Sequence, residues 1–86
     1  MTQFWPEGTP IGVRLHKELA QPVQVRFYGA WHRVQHVSTP WRVDTGWWDG
    51  RRVWRDYFLV LTRSGWLSVI FHDLCDDVWY LHRLYD

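Results

Sequence analysis

The chain has 86 residues, with ten Lys and Arg against nine Asp and Glu for a formal charge of +1, and it is 47% hydrophobic and 19% aromatic, with eight tryptophans. A chain of this length buries only about 60 to 65% of its unfolded surface, which excludes two separate cores. Its apolar content excludes disorder, and its near-balanced charge excludes the strongly basic signature of a dedicated duplex binder, so any nucleic-acid contact must be local.

Residues 1–10, with prolines at positions 6 and 10, read as a loose N-terminal arm, and residues 11–86 as one domain. From Ile11 onward the apolar residues recur with period two between Gly, Pro, Asp and Ser, and no window has a helical period. The first strand covers 11–15, with Ile11, Val13 and Leu15 inward, and 16–21 form a loop long enough for one helical turn. Val23, Val25 and Phe27 then alternate with Gln24, Arg26 and Tyr28, and Gly29-Ala30 marks a tight hairpin, since glycine tolerates the positive φ of two-residue turns. The next strand, 31–37, ends at Ser38-Thr39-Pro40. A short extended piece at 41–43, a turn over 44–50 and a long strand over 52–62 follow. The last two strands, 66–73 and 78–85, are entered through a hairpin at 63–65 and a turn at 75–77.

Leu67, Val69 and Phe71 are expected to oppose Phe58 and Val60, with Trp79 and Leu81 continuing that face as the core. Asp56 shares the parity of Trp54 and Phe58, so it is expected to pair, with Arg83 as partner. The fold class is all-β: a small, strongly bent antiparallel sheet or an SH3-like or OB-like barrel of five to six strands, with a two-layer roll as the alternative.

Chemistry-bearing residues are few. The single Cys75 closes no internal disulfide and supports no cysteine-based zinc site, which suits a reducing compartment. The N-terminus lacks a basic start and an apolar segment, and no run approaches 18 apolar residues, so a soluble cytoplasmic protein is expected. His32 and His36 have a spacing that clamps zinc on a helix, but on a strand four residues span about 13 Å, so no metal site is assigned. His72, Cys75 and the nearby aspartates read as a solvated turn. Cys75 with His72 or His82 lacks a third orienting group and an oxyanion feature, and Asp44-Thr45-Gly46 occurs once where an aspartic protease needs two aspartates. No catalytic residue and no cofactor are assigned, and a small hydrolase is the weakest functional reading.

The densest signal lies in WRVDTGWWDGRRVWRDYF, which places Trp41, Trp47, Trp48 and Trp54 among arginines. The candidate binding residues are Trp41, Arg42, Trp47, Trp48, Arg51, Arg52 and Arg55. Adjacent rings cannot both point inward on a strand, so one of Trp47 and Trp48 is expected to be exposed. Trp, Tyr and Arg are the types enriched in protein hot spots, and an edge strand offers self-association as well. The alternative is a single-stranded nucleic acid, with bases on the indoles and phosphates on the arginines. Asp44, Asp49 and Asp56 dilute the positive potential that this alternative needs. Nine of the ten basic residues are Arg, which suits planar stacking and equally reflects the codon bias of a GC-rich genome.

The motif order PVQVRFYG at 22–29, WRVDTGWW at 41–48, RDYF at 55–58, TRSG at 62–65 and VWYLHRLYD at 78–86 resembles a small bacterial domain family of unknown function. A related Thr-Gly-Trp-Trp-Asp-Gly and Arg-Asp-Tyr segment occurs in the C-terminal region of the mutasome's polymerase-like subunit, an inactive relative of the Y-family translesion polymerases. The resemblance to the small domain family covers nearly the whole chain, and the similarity to the mutasome subunit's segment implies a binding or adaptor role near DNA-damage tolerance. It offers no catalytic residues to carry over.

Overall fold

Period-two alternation becomes eight strands in the computed structural model, which describes residues 2–46, 48, 50 and 52–85. Among the described residues these are β1 (Gln3–Pro10), β2 (Val13–Leu15), β3 (Pro22–Phe27), β4 (Ala30–Val37), β5 (Trp41–Thr45), β6 (Val53–Thr62), β7 (Leu67–Asp73) and β8 (Val78–Tyr85), and no helix is present among them. All pairs are antiparallel, in the order β1-β8-β7-β6-β4-β3-β2, and β5 pairs with β6. The ten-residue β6 is long enough to take β5 along Val53 to Tyr57 and β4 along Val60 to Thr62.

The sheet curls into a half-barrel, the small all-β fold that the sequence implies. One run of chain reaches both of its ends. β1 bonds to β8, Ile11 N–H donates to Trp79 C=O at 3.1 Å, Gly12 C=O accepts from Arg26 N–H at 2.9 Å, and β2 continues along β3. The strand β1 replaces the expected loose arm. Its register jumps between Phe4 and Thr9, so residues 5–8 bulge opposite His82, and Pro6 and Gly8 hide the alternation. A proline is tolerated there because β1 is an edge strand. The first hairpin turns on Tyr28 and Gly29, at φ 50° and 79°, one residue before the expected Gly29-Ala30.

Val25, Phe27, Phe58, Val60, Ile70, Leu81 and Leu84 form the core on one face of the curled sheet, with Trp5, Ile11, Val13, Val34, Val37, Trp66 and Trp79 packed around them. Each large side chain so buried contributes about 1.5–3 kcal/mol. Leu15 and Val23, expected inward, are exposed, because the β2–β3 register shifts between Arg14 and Leu15. The expected pairing of Leu67, Val69 and Phe71 with Phe58 and Val60 is also corrected. Phe58 lies opposite Ile70 and Val60 opposite Ser68, so Leu67, Val69 and Phe71 occupy the other face. Buried Ser68 donates from Oγ to Val60 C=O at 3.3 Å, and buried Thr62 Oγ1 accepts from Trp66 N–H at 3.0 Å, which satisfies the polar groups this register draws inward.

A bulge in β8 reverses the parity expected for its end. Val69 pairs with Arg83 and Ile70 with Leu81, which leaves His82 as an extra residue. Leu81 and Leu84 therefore both reach the core, three residues apart, while Arg83 turns to the outer face with Val69 and cannot be the partner of Asp56.

On the outer face Phe71 is fully buried as the centre of a second, smaller aromatic cluster. Tyr57, Tyr80 and His82 lie at ring-centroid distances of 5.1, 5.0 and 5.9 Å from it, and the Arg55 guanidinium lies 4.4 Å above its ring.

Candidate binding site

The β5–β6 hairpin sorts the Trp/Arg cluster onto two faces. Strand register sets Arg42 opposite Asp56 and Asp44 opposite Trp54 on the core-side face, and Trp41 opposite Tyr57 and Val43 opposite Arg55 on the outer face. Trp48 is exposed in the connecting turn, as the sequence leads one to expect for one of the pair. Trp47 and Arg51 lie outside the described residues.

On the core-side face two arginines are held by carboxylates. Arg42 Nε and Nη2 donate to the two oxygens of Asp56 at 2.8 and 3.0 Å, and Arg52 Nε and Nη2 donate to those of Asp44 at 3.1 and 3.0 Å. The indole of Trp54 lies beneath both, 4.4 Å from the Arg52 guanidinium and 5.8 Å from that of Arg42. The hydrogen bond from Arg42 holds the Asp56 carboxyl below the usual carboxylate range, and each arginine is raised above its ordinary value by its aspartate. Such fork-to-fork pairs occupy the donors that a phosphate would use. Beside them His72 stacks on Trp79 at 4.4 Å, and its Nε2 meets Asp77 Oδ1 at 2.6 Å, which closes the β7–β8 turn. Cys75 is exposed in that turn, its N–H donating to Asp73 Oδ1.

The outer face carries a cleft of about 540 Å³. Tyr57, Leu59 and Val69 form its floor, Trp41 and Val43 one wall, and His82, Arg83 and Tyr85 the other. The Trp41 and Tyr57 rings stack at 5.6 Å with a 15° tilt, yet Trp41 keeps 45% of its surface exposed. His82 is wedged edge-on against Phe4 and Tyr57 at 4.8 and 5.6 Å. Burial pushes its pKa below the ordinary histidine value; the nearby cations Arg83 and Arg55 act the same way, and a hydrogen bond with the Trp5 backbone opposes them. His82 Nδ1 and Arg55 Nε are buried without a hydrogen-bond partner among the described residues. Arg55 donates from Nη1 to the Tyr57 hydroxyl at 3.3 Å, and Arg83 from Nη1 to that of Tyr85 at 3.2 Å. Among the described residues neither Arg55 nor Arg83 has a carboxylate partner.

The structure thus sets Trp41 and Arg55 on the outer face, Trp41 in the wall of the cleft and Arg55 over Phe71 outside its lining, and separates both from Arg42 and Arg52. Tyr57, His82, Arg83 and Tyr85 join the site without having been singled out for it from the sequence. Tyr57 was within reach, since it shares a face with Arg55, but the bulge hides the side to which His82 and Arg83 turn. His32 and His36 lie on β4, where His32 Nδ1 meets Ser64 Oγ at 2.8 Å. Among the described residues no helix is long and apolar enough to cross a membrane. Comparison with protein-family models, with curated proteins and with solved structures finds no match to this chain.

Proposed function

We propose that the chain is a non-enzymatic binding module whose Trp41–Tyr57 cleft receives a segment of a partner protein. Its setting on this reading is an adaptor role in DNA-damage tolerance, the role that the resemblance to the mutasome subunit implies. The observation that carries the proposal is the division of the cluster. Arg42 and Arg52 are engaged by Asp56 and Asp44, while an exposed indole and an aromatic and aliphatic floor remain accessible on the outer face. Accessible aromatic rings beside an arginine, here Arg83, are the types enriched in protein hot spots. The open edge of β5, hydrogen-bonded only to β6 among the described residues, supports an extended segment or a second copy of the chain as the occupant. A Cys75–His82 pair is not favoured, since His82 lies four residues along β8 from the turn that holds Cys75, about 13 Å at strand spacing.

Peptide display against the immobilised protein tests the proposal. Selected peptides should bind the wild type and lose at least tenfold in affinity to Trp41→Ala, with less than about threefold change between 50 and 200 mM salt, since aromatic contacts are only weakly screened. Peptides indifferent to Trp41, or none selected, would remove the protein reading from this cleft. Crosslinking in damaged cells, with Trp41→Ala as control, then tests the damage-tolerance setting.

A further inference from the structure

Charge is balanced over the whole chain but not along it. Residues 11–40 hold Arg14, Lys17, Arg26 and Arg33 against Glu18 alone, whereas residues 41–86 hold six arginines against seven aspartates. The fold turns this imbalance into a surface. Val25 and Phe27 point into the core, so Gln24 and Arg26 on β3 face outward. Register places Arg14 and Arg33 on either side of Gln24, and Trp31 beside Arg26. Arg63 joins the row, because its N–H donates to Arg33 C=O at 2.9 Å and its neighbour Thr62 takes the core side. Four exposed arginines from β2, β3, β4 and the β6–β7 turn therefore share one outer surface, with adjacent strands about 4.8 Å apart.

Two features mark this row, the first of them absent at Arg42 and Arg52, which are held by Asp56 and Asp44. None of the four has a carboxylate partner among the described residues. A planar stack also lies in their midst: the Arg14 guanidinium sits 4.1 Å over the Trp31 indole and is oriented by donating from Nη1 to Gln24 Oε1 at 3.1 Å. Trp31 in turn lies against Gly12, where a Cβ would come within 2.9 Å of the ring. Arg33 and Arg63 flank a depression of about 400 Å³ at the other end of the row.

We infer that this β2–β3–β4 surface binds single-stranded nucleic acid, with Arg14, Arg26, Arg33 and Arg63 on successive phosphates and the Arg14–Trp31 stack as the platform for one base. Guanidinium groups without a carboxylate, repeated across strands, complement a repeating anion, and a guanidinium over an indole offers a base a flat polarised face. A single strand fits better than a duplex because no helix is available among the described residues to enter a groove, and a stacking platform requires an unpaired base. The surface is separate from the Trp41 cleft, so the inference does not depend on the adaptor reading.

Fluorescence anisotropy with a labelled twelve-residue oligo-dT tests it. Four phosphate contacts give a slope of about −2.8 in log affinity against log salt, so affinity should fall about 50-fold between 50 and 200 mM. Each of Arg14→Gln, Arg26→Gln, Arg33→Gln and Arg63→Gln should make the slope shallower by about 0.7. Trp31→Ala should weaken binding by roughly 5- to 160-fold with little change in slope, and Trp41→Ala should leave it unchanged. The four arginines are exposed, so these variants keep the fold, with thermal melts as the check. No binding at 50 mM salt, or binding insensitive to the arginines, would overturn the inference. Equal competition by poly-glutamate, or tighter binding to vesicles of anionic lipid, would also overturn it and assign the surface to an acidic protein or a membrane.

Discussion

Replacing Gly8 by alanine tests whether residues 3–10 are an integral strand. Gly8 lies at φ +78°, and a Cβ built on it would stand 2.7 Å from Tyr80 Cβ and 2.8 and 2.9 Å from Phe71 Cζ and Cε1. Carbon atoms pack best about 3.5–4.0 Å apart, so something must move. Phe71 has little freedom to do so, being fully buried between Tyr57 and Tyr80. The left-handed backbone costs a non-glycine residue about 1 kcal/mol and overpacking a further 1–3 kcal/mol, which together give roughly 2–4 kcal/mol. A domain of this size has about 4–13 kcal/mol of stability in all, so the melting temperature should fall by roughly 10–25 °C. Gly29→Ala isolates the steric part: its φ is +79° and a Cβ there meets nothing within 4 Å, so only the backbone cost of about 1 kcal/mol remains. Urea denaturation followed by tryptophan fluorescence should separate the two variants by about 1–3 kcal/mol. Phe71→Leu should recover part of the difference when combined with Gly8→Ala. Equal losses in the two glycine variants would refute the close approach and restore the loose arm.

Phe71→Ala should cost about 3–5 kcal/mol in the same assay, matching Phe58→Ala although the two rings occupy opposite faces; a loss under 1 kcal/mol would mean the outer cluster carries no stability. Asp56 has a carboxyl pKa lowered in the fold, so its contribution is complete above the unfolded value of about 3.9 and lost as pH falls through the folded one. Asp56→Asn should accordingly lower the urea midpoint at pH 7, and the gap to the wild type should narrow as the pH falls below the ordinary carboxylate range. His82 has its pKa lowered by burial, so below about pH 6.5 the unfolded chain takes up a proton that the fold resists, and stability should decline from pH 7 toward pH 5. His82→Phe should flatten that decline, and NMR should show the His82 ring titrating below the ordinary value.

Strands and turns were legible in the sequence because each is written locally. Period-two alternation marks the strands from 13–15 onward, Gly29, Gly65 and residues 75–77 mark the turns between them, and the all-β class follows. The strand β1 escaped because Pro6, Gly8 and a four-residue bulge erase its alternation, and only pairing with β8 makes it a strand. The core face of β7 was misassigned because period two divides a strand into two sets of residues without saying which is inward. Only the register with β6, which sets Ile70 against Phe58, decides that. One extra residue at His82 then reverses the parity of the end of β8, sending Leu84 inward and Arg83 outward. The Trp/Arg cluster was found by composition, but its division between an engaged face and an open cleft depends on cross-strand pairing with Asp44 and Asp56. The sequence by itself determined the local alphabet of strands, turns and aromatic-basic clusters, because backbone preference and side-chain periodicity act over a few residues. Only the tertiary structure decided which arginines meet carboxylates and which do not, because that is settled by strand register, which sets Arg42 against Asp56 and brings Arg52 to Asp44 across the β5–β6 hairpin and which a local pattern does not fix.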